Sequence, residues 1–120
     1  LPIDTVDMLI PVPLHPARLR QREFNQAQVL AQEIGMAFDK PVLKDTLIRR
    51  RNTRTQTDLE SGERFANVQN SFLARDTALI QGKNIMLVDD VLTTGATASE
   101  AADTLKKSGG KTVWVMTLAN

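Results

Sequence analysis

A chain of 120 residues can bury one core of useful size and is too short for two. Apolar residues make up 42% and charged residues 24%, and 15 basic against 14 acidic residues leave a net charge of +1, so no global basic field for nucleic acid exists. The absence of cysteine excludes disulfides and thiolate metal sites, and the single histidine, His15, excludes a multi-histidine metal centre. No apolar run approaches the ~18 residues of a membrane span, and the first residues lack a signal-peptide pattern. Cytoplasmic location is the expectation from these signals. A start at Leu1 suggests a piece of a longer protein, and residues 1–120 read as one domain.

In chain order, Met8-Leu9-Ile10-Pro11-Val12 reads as a first strand. Its proline cannot donate to a ladder, so its outer end must be irregular or lie at an edge. Pro13 to Pro16 is a loop. A helix is predicted over about residues 25–38, with Ala27, Leu30, Ala31, Ile34 and Phe38 on one face. Asn25 and Gln28 suit a capping-box pair at its start. Val42 to Ile48 is a weaker strand pattern, best over Thr46 to Arg49. Residues 50–60 are polar and aperiodic, the pattern of a mobile loop. Glu63 to Val68 reads as a short helix capped by Ser61, and Ser71 to Ala74 as a minor strand.

Residues 84–89 form the strongest strand signal. A helix over about 96–108 follows, with Ala98, Ala101, Ala102 and Leu105 at i, i+3, i+4 and i+7, and Gly109-Gly110 stops it. Thr112 to Leu118 is the last strand, and its near-continuous apolar content predicts burial on both faces. Strand, helix, strand in this order predicts an α/β fold with a parallel sheet and right-handed crossovers.

The most informative stretch is Ile85-Met-Leu-Val-Asp-Asp-Val-Leu-Thr-Thr-Gly-Ala-Thr97. It is a short apolar strand, two carboxylates where the strand emerges, then a hydroxyl-rich turn running into a helix. In open α/β sheets ligands sit beyond the carboxyl ends of the strands. The order suits a phosphorylated sugar. Amides at the helix start can hold the phosphate, and Gly95 lets the backbone come close where a Cβ would collide. Thr93, Thr94 and Thr97 can add hydroxyl donors, and Asp89 and Asp90 can accept from vicinal sugar hydroxyls. Successive strand residues alternate faces, so the two aspartates need not share one role. Either could instead serve as a capping group. An acidic pair after an apolar strand also resembles a Walker-B element, but the chain contains no G-x-x-x-x-G-K-[ST]. No G-x-G-x-x-G follows a strand either.

This string resembles the phosphoribosyl pyrophosphate (PRPP) signature of type I phosphoribosyltransferases. Pro11-Val12-Pro13-Leu14-His15-Pro16, Arg18-Leu19-Arg20, Arg22-Glu23-Phe24-Asn25-Gln26, Arg50-Arg51, Thr53, Gln56, Leu59, Arg64, Asn67 and Phe72 are similar to its ComF/GntX branch. The similarity spans about residues 8–119. Glu23 departs from the branch, which usually has glycine there, and nothing matches the branch's frequent four-cysteine zinc segment.

The resemblance implies a parallel-sheet sandwich with helices on both faces, and a 5-phosphate site at Thr93, Thr94, Gly95, Ala96 and Thr97. It implies that Asp89 and Asp90 hold the ribose hydroxyls as the catalytic pair. Diphosphate would be bound by Leu14, His15, Arg18, Arg50, Arg51 and Arg54, with Thr53 and Gln56 on a loop that closes over the site. Each arginine also reads as a solvated charge, His15 as a plain loop residue and Asn25 as a helix cap. Mg²⁺ is the implied cofactor, held mainly by the substrate with Asp89 or Asp90 nearby rather than by direct protein ligands. The implied activity is phosphoribosyl transfer to an acceptor that the sequence does not reveal, against a non-catalytic PRPP-binding module. The branch's link to DNA uptake adds competence-machinery proteins and single-stranded DNA as partners, the latter through Arg18, Arg20 and Arg22.

Overall fold

The computed structural model describes residues 3–14, 25–49, 71–91 and 96–119. Three parallel strands form its central sheet in the order β1 (Met8–Pro11), β4 (Asn84–Val91), β5 (Thr112–Ala119). Two helices flank it, α1 (Gln26–Phe38) and α2 (Ala96–Lys107), and a separate antiparallel pair joins β2 (Leu47–Arg49) to β3 (Phe72–Ala74). Short 3-10 turns at Ile3–Thr5 and Thr77–Ile80 lead into β1 and β4.

The period-two alternation of β4 divides the core between two layers. Ile85 and Leu87 pack with Ile10, Ala101 and Leu105 beneath α2, whereas Met86 and Val88 pack with Leu9 and Ala31 beneath α1. The helices therefore cover opposite faces, and the expected sandwich is present. All four β4 residues are at most 1% exposed, each burial contributing about 1.5–3 kcal/mol.

Pro11 sits where its missing donor does no harm. Leu9 donates to Pro41 on the side away from β4, whereas Val12 donates to Val88. Pro11, two residues past Leu9, has its nitrogen on that outer side. The 42–48 pattern divides in two: Val42 makes an isolated parallel bridge to Leu9, and only Leu47–Arg49 enters a strand.

Two burial expectations fail. Phe38 is 53% exposed, because the helix ends one residue later at Asp39 in a left-handed conformation. Gly35 takes the contact position instead: a Cβ there would lie 2.7 Å from the Lys40 carbonyl and 2.8 Å from Val42 Cγ2. The last strand is not buried on both faces. Val113, Trp114 and Met116 are half-buried and Val115 is 41% exposed, because β5 ladders only with β4 among the described residues. Gly109-Gly110 ends α2 as expected, with Gly109 at φ 118° and the Gly110 amide donating to Leu105. Among the described residues, no helix is long and apolar enough to cross a membrane. The 50–60 loop and the Glu63–Val68 helix lie outside the described residues.

Candidate functional site

Parallel strands put their carboxyl ends on one edge, and β1, β4 and β5 end there at Pro11, Val91 and Ala119. Both helices begin at this edge. α2 starts at Ala96, with four residues between it and the end of β4. α1 is anchored to the end of β1 by its own N-cap: Asn25 Oδ1 accepts from the Ala27 amide at 2.9 Å, and Asn25 Nδ2 donates to the Val12 carbonyl at 3.1 Å. A single side chain thus satisfies a helix end and fixes where the chain leaves β1. The partners of Asn25 are Ala27 and Val12, so it acts as a tether between elements as well as a cap.

Asp89 and Asp90 lie inside the strand rather than after it. β4 continues to Val91 because β5 runs on beside it, with Asp89 in register with Thr117 and Val91 with Ala119. Asp89 belongs to the Ile85–Leu87 series on the α2 face and is only 9% exposed. A carboxylate held this far from water at a strand end is costly unless it is hydrogen-bonded or paired, and Asp89 does have an interaction partner. The side chain of Asp90 lies outside the described part.

Of the phosphate-turn candidates, Ala96 opens α2 and Thr97 is half-buried in its first turn. Thr93, Thr94 and Gly95 lie outside the described residues, as do His15, Arg18, Arg20, Arg22, Arg50, Arg51, Arg54, Thr53 and Gln56. Leu14 is half-buried just past β1, on the same edge as Asp89. The structure thus brings Leu14, Asp89 and the start of α2 to one edge of the sheet. Aligned peptide dipoles and unpaired amides make a helix start favourable for anions, and Asp89 lies at the same edge of the sheet.

Thr117 was not among the sequence candidates. It ends a four-residue apolar run, Val113 to Met116, at the carboxyl end of the strand beside β4.

Comparison with known proteins agrees with this geometry. A family model described as phosphoribosyl transferase domain matches residues 25–120. Competence protein F of Haemophilus influenzae is 37% identical over 114 residues, covering 94% of this chain and 50% of that protein. The DNA utilization protein YhgH of Escherichia coli O157:H7 is 37% identical over 112 residues, covering 93% and 48%. Competence protein ComFC of Bacillus subtilis is 33% identical over 102 residues, covering 85% and 39%. The chain spans about half the length, or less, of these curated relatives.

Proposed function

The chain belongs to the phosphoribosyl transferase domain family and is of its ComF type, and from that premise we propose that it binds PRPP with Mg²⁺ and transfers the phosphoribosyl group to an acceptor, displacing diphosphate. The observation that supports this most directly is the buried Asp89 near the carboxyl end of β4, with α2 beginning at Ala96 soon after that strand ends at Val91. A ribose 5-phosphate bound there meets the amides of the 93–97 turn with its phosphate and Asp89 and Asp90 with its hydroxyls.

In the proposed reaction the C1–O bond to diphosphate breaks through an oxocarbenium-like state as the acceptor nucleophile approaches C1. The bond electrons leave with diphosphate. The protein's task is to hold the charged leaving group and the sugar in line with the acceptor. Asp89 and Asp90 fix the ribose by accepting from its hydroxyls. Leu14, His15, Arg18, Arg50, Arg51 and Arg54 bind the diphosphate, the arginines by paired donors that match phosphate oxygens. Thr53 and Gln56 close over the site and keep water from the reactive carbon.

The donor set suits a cation carried by the substrate. Mg²⁺ commonly binds through one or two carboxylates plus substrate phosphates and water, and the adjacent Asp89 and Asp90 offer two carboxylates. Asp89 and Asp90 are the residues that would stand beside it, and it would neutralise diphosphate charge.

Calorimetric titration of PRPP with and without Mg²⁺ tests the proposal, on wild type and on Gly95→Val. Wild type is expected to bind, and Gly95→Val to lose most of that affinity because a branched side chain blocks the phosphate's approach to the turn. Absence of Mg²⁺-dependent binding to wild type would refute it. Diphosphate release with an acceptor then separates transfer from binding alone.

A second reading rests on the relatives' names, which speak of competence and DNA utilization. A single-stranded-DNA module would use Arg18, Arg20 and Arg22, and its affinity would fall steeply with salt. Only five aromatic residues in the chain argue against a stacking platform.

A further inference from the structure

One residue at the carboxyl edge of the sheet is held from both sides. The Val12 amide donates to the Val88 carbonyl at 2.8 Å, and the Val12 carbonyl accepts from Asn25 Nδ2 at 3.1 Å. Val88 directly precedes Asp89 on β4, and Asn25 is the N-cap of α1. The point where the chain leaves the sheet is thus fixed against the strand that carries Asp89 and against the helix to which the chain returns. Val12 itself is 4% exposed and packs in the core beneath α2.

The choice of asparagine is informative. A helix cap needs one acceptor, which serine, threonine or aspartate supplies as well. Aspartate cannot donate when ionised, and serine and threonine carry a single polar atom on a shorter stem. Asparagine sets an acceptor and a donor side by side, and both are used: Oδ1 accepts from the Ala27 amide at 2.9 Å while Nδ2 reaches Val12. Capping alone gives no reason for the second bond. Residues 13–24, which separate Val12 from Asn25, include Leu14, His15 and Arg18, three of the residues assigned above to the diphosphate. In PRPP the diphosphate on C1 stands next to the hydroxyl on C2. A segment that binds the first must leave the sheet at a set offset from the carboxylate that binds the second, because a misplacement of about 1 Å at a reacting centre is costly.

We infer that Asn25 is a positioning residue for the diphosphate half of PRPP: through Val12 it sets where the 13–24 segment leaves and rejoins the described fold relative to Asp89. The inference rests on the PRPP reading above and adds to it the group that keeps the diphosphate and ribose halves of the site in step.

The test uses the whole chain with Mg²⁺ and two probes. PRPP is titrated calorimetrically, and ribose 5-phosphate, which lacks the diphosphate, is read by its displacement of PRPP up to millimolar concentration. Asn25→Ser and Asn25→Thr each keep a neutral cap for Ala27 and leave the Val12 carbonyl without its donor. Their urea midpoints should fall only slightly. Their affinity for PRPP should fall about three- to tenfold, the scale of one hydrogen bond, with affinity for ribose 5-phosphate unchanged. Wild-type affinity for PRPP in both variants would overturn the inference. So would an equal loss for the two probes, the mark of a merely structural role, and so would failure of both variants to fold. Ribose 5-phosphate that cannot displace PRPP from wild type would also overturn it, since the site would not divide into the two halves inferred. If wild type does not bind PRPP, the PRPP reading falls first, a result distinct from PRPP binding that ignores Asn25.

Discussion

The two ends of the sheet are built differently. At the amino end, side chains bridge one element to the next. Asp7 accepts from the Asn84 amide at 2.8 Å, Asn84 donates to the Thr5 carbonyl, and Gln81 Nε2 donates to the Thr77 and Ser108 carbonyls at 2.9 and 2.7 Å. Backbone bonds from Gly82 to Gly109 and from Lys111 to Lys83 complete the stitching. The carboxyl end gathers a buried aspartate, a threonine in register with it and two helix starts, with Asn25 as the tether to β1. One end spends its polar groups on holding elements together, and the other presents polar groups at an edge where ligands of this fold class bind. Substitutions at the amino end should move stability with little effect on PRPP, and those at the carboxyl end should move PRPP binding more than stability.

The largest stability effect is expected at Gly109. Its φ of 118° lies where side chains are rarely found, and a Cβ there would run into the Gln81 side chain. Gly109→Ala should cost about 1–3 kcal/mol from backbone strain, plus part of the two Gln81 bonds. The urea midpoint should fall, and PRPP affinity measured well below that midpoint should stay at the wild-type value. A large loss of affinity in a folded Gly109→Ala protein would break the contrast between the ends.

Asn25 sharpens the contrast, because it is structural yet stands at the ligand end. Asn25→Ala removes the cap of α1 and the bond to Val12, and loss of a cap typically costs about 1 kcal/mol. Here both readouts should move: a lower urea midpoint, and weaker PRPP binding because the chain after Val12 loses its anchor. Asn25→Asp separates the two bonds. It keeps an acceptor for Ala27 and removes the donor to Val12, so it should recover most of the stability and little of the binding.

How much of this was legible in the sequence follows from which forces are local. β4 and α2 were readable nearly to the residue because pattern, length and stop signals agree: Ile85 to Val88 with no charge, then alanines at helical spacing up to Gly109-Gly110. The place of the acidic pair near the carboxyl end of β4 was readable because an apolar run that stops at two carboxylates marks where a buried strand emerges. Tertiary choices were not. Gly35 looks like a weak point of α1 until the Lys40–Val42 segment is seen to cross it so closely that an added Cβ would stand 2.7–2.8 Å from it. The apolar content of β5 predicted two covered faces, but coverage depends on which strands pair outside it. The register that sets Asp89 beside Thr117 pairs residues 28 positions apart, which no local pattern encodes.

The smallest effect is expected inside α2, which joins the two ends. Burial, and next the neighbouring Asp103, raise the pKa of Glu100 above its ordinary 4.5, with Lys107 opposing in part. A carboxylate whose folded pKa exceeds its unfolded one opposes folding while it is charged. That penalty is complete above the raised value, fades as pH falls from there toward 4.5, and is gone below the unfolded value. Glu100→Gln should therefore raise the thermal midpoint slightly at neutral pH and leave it unchanged near the acid end, the reverse of the trend when a salt-bridged carboxylate is removed. The nearby pair Lys107–Asp103, at 2.9 Å on the exposed face, should show no comparable effect when Lys107 is replaced by Met, since solvent screens such pairs. Paired melting curves for Glu100→Gln and wild type across acid to neutral pH check the sign. A midpoint that falls at neutral pH would mean that the Glu100 charge supports the helix instead of opposing its burial.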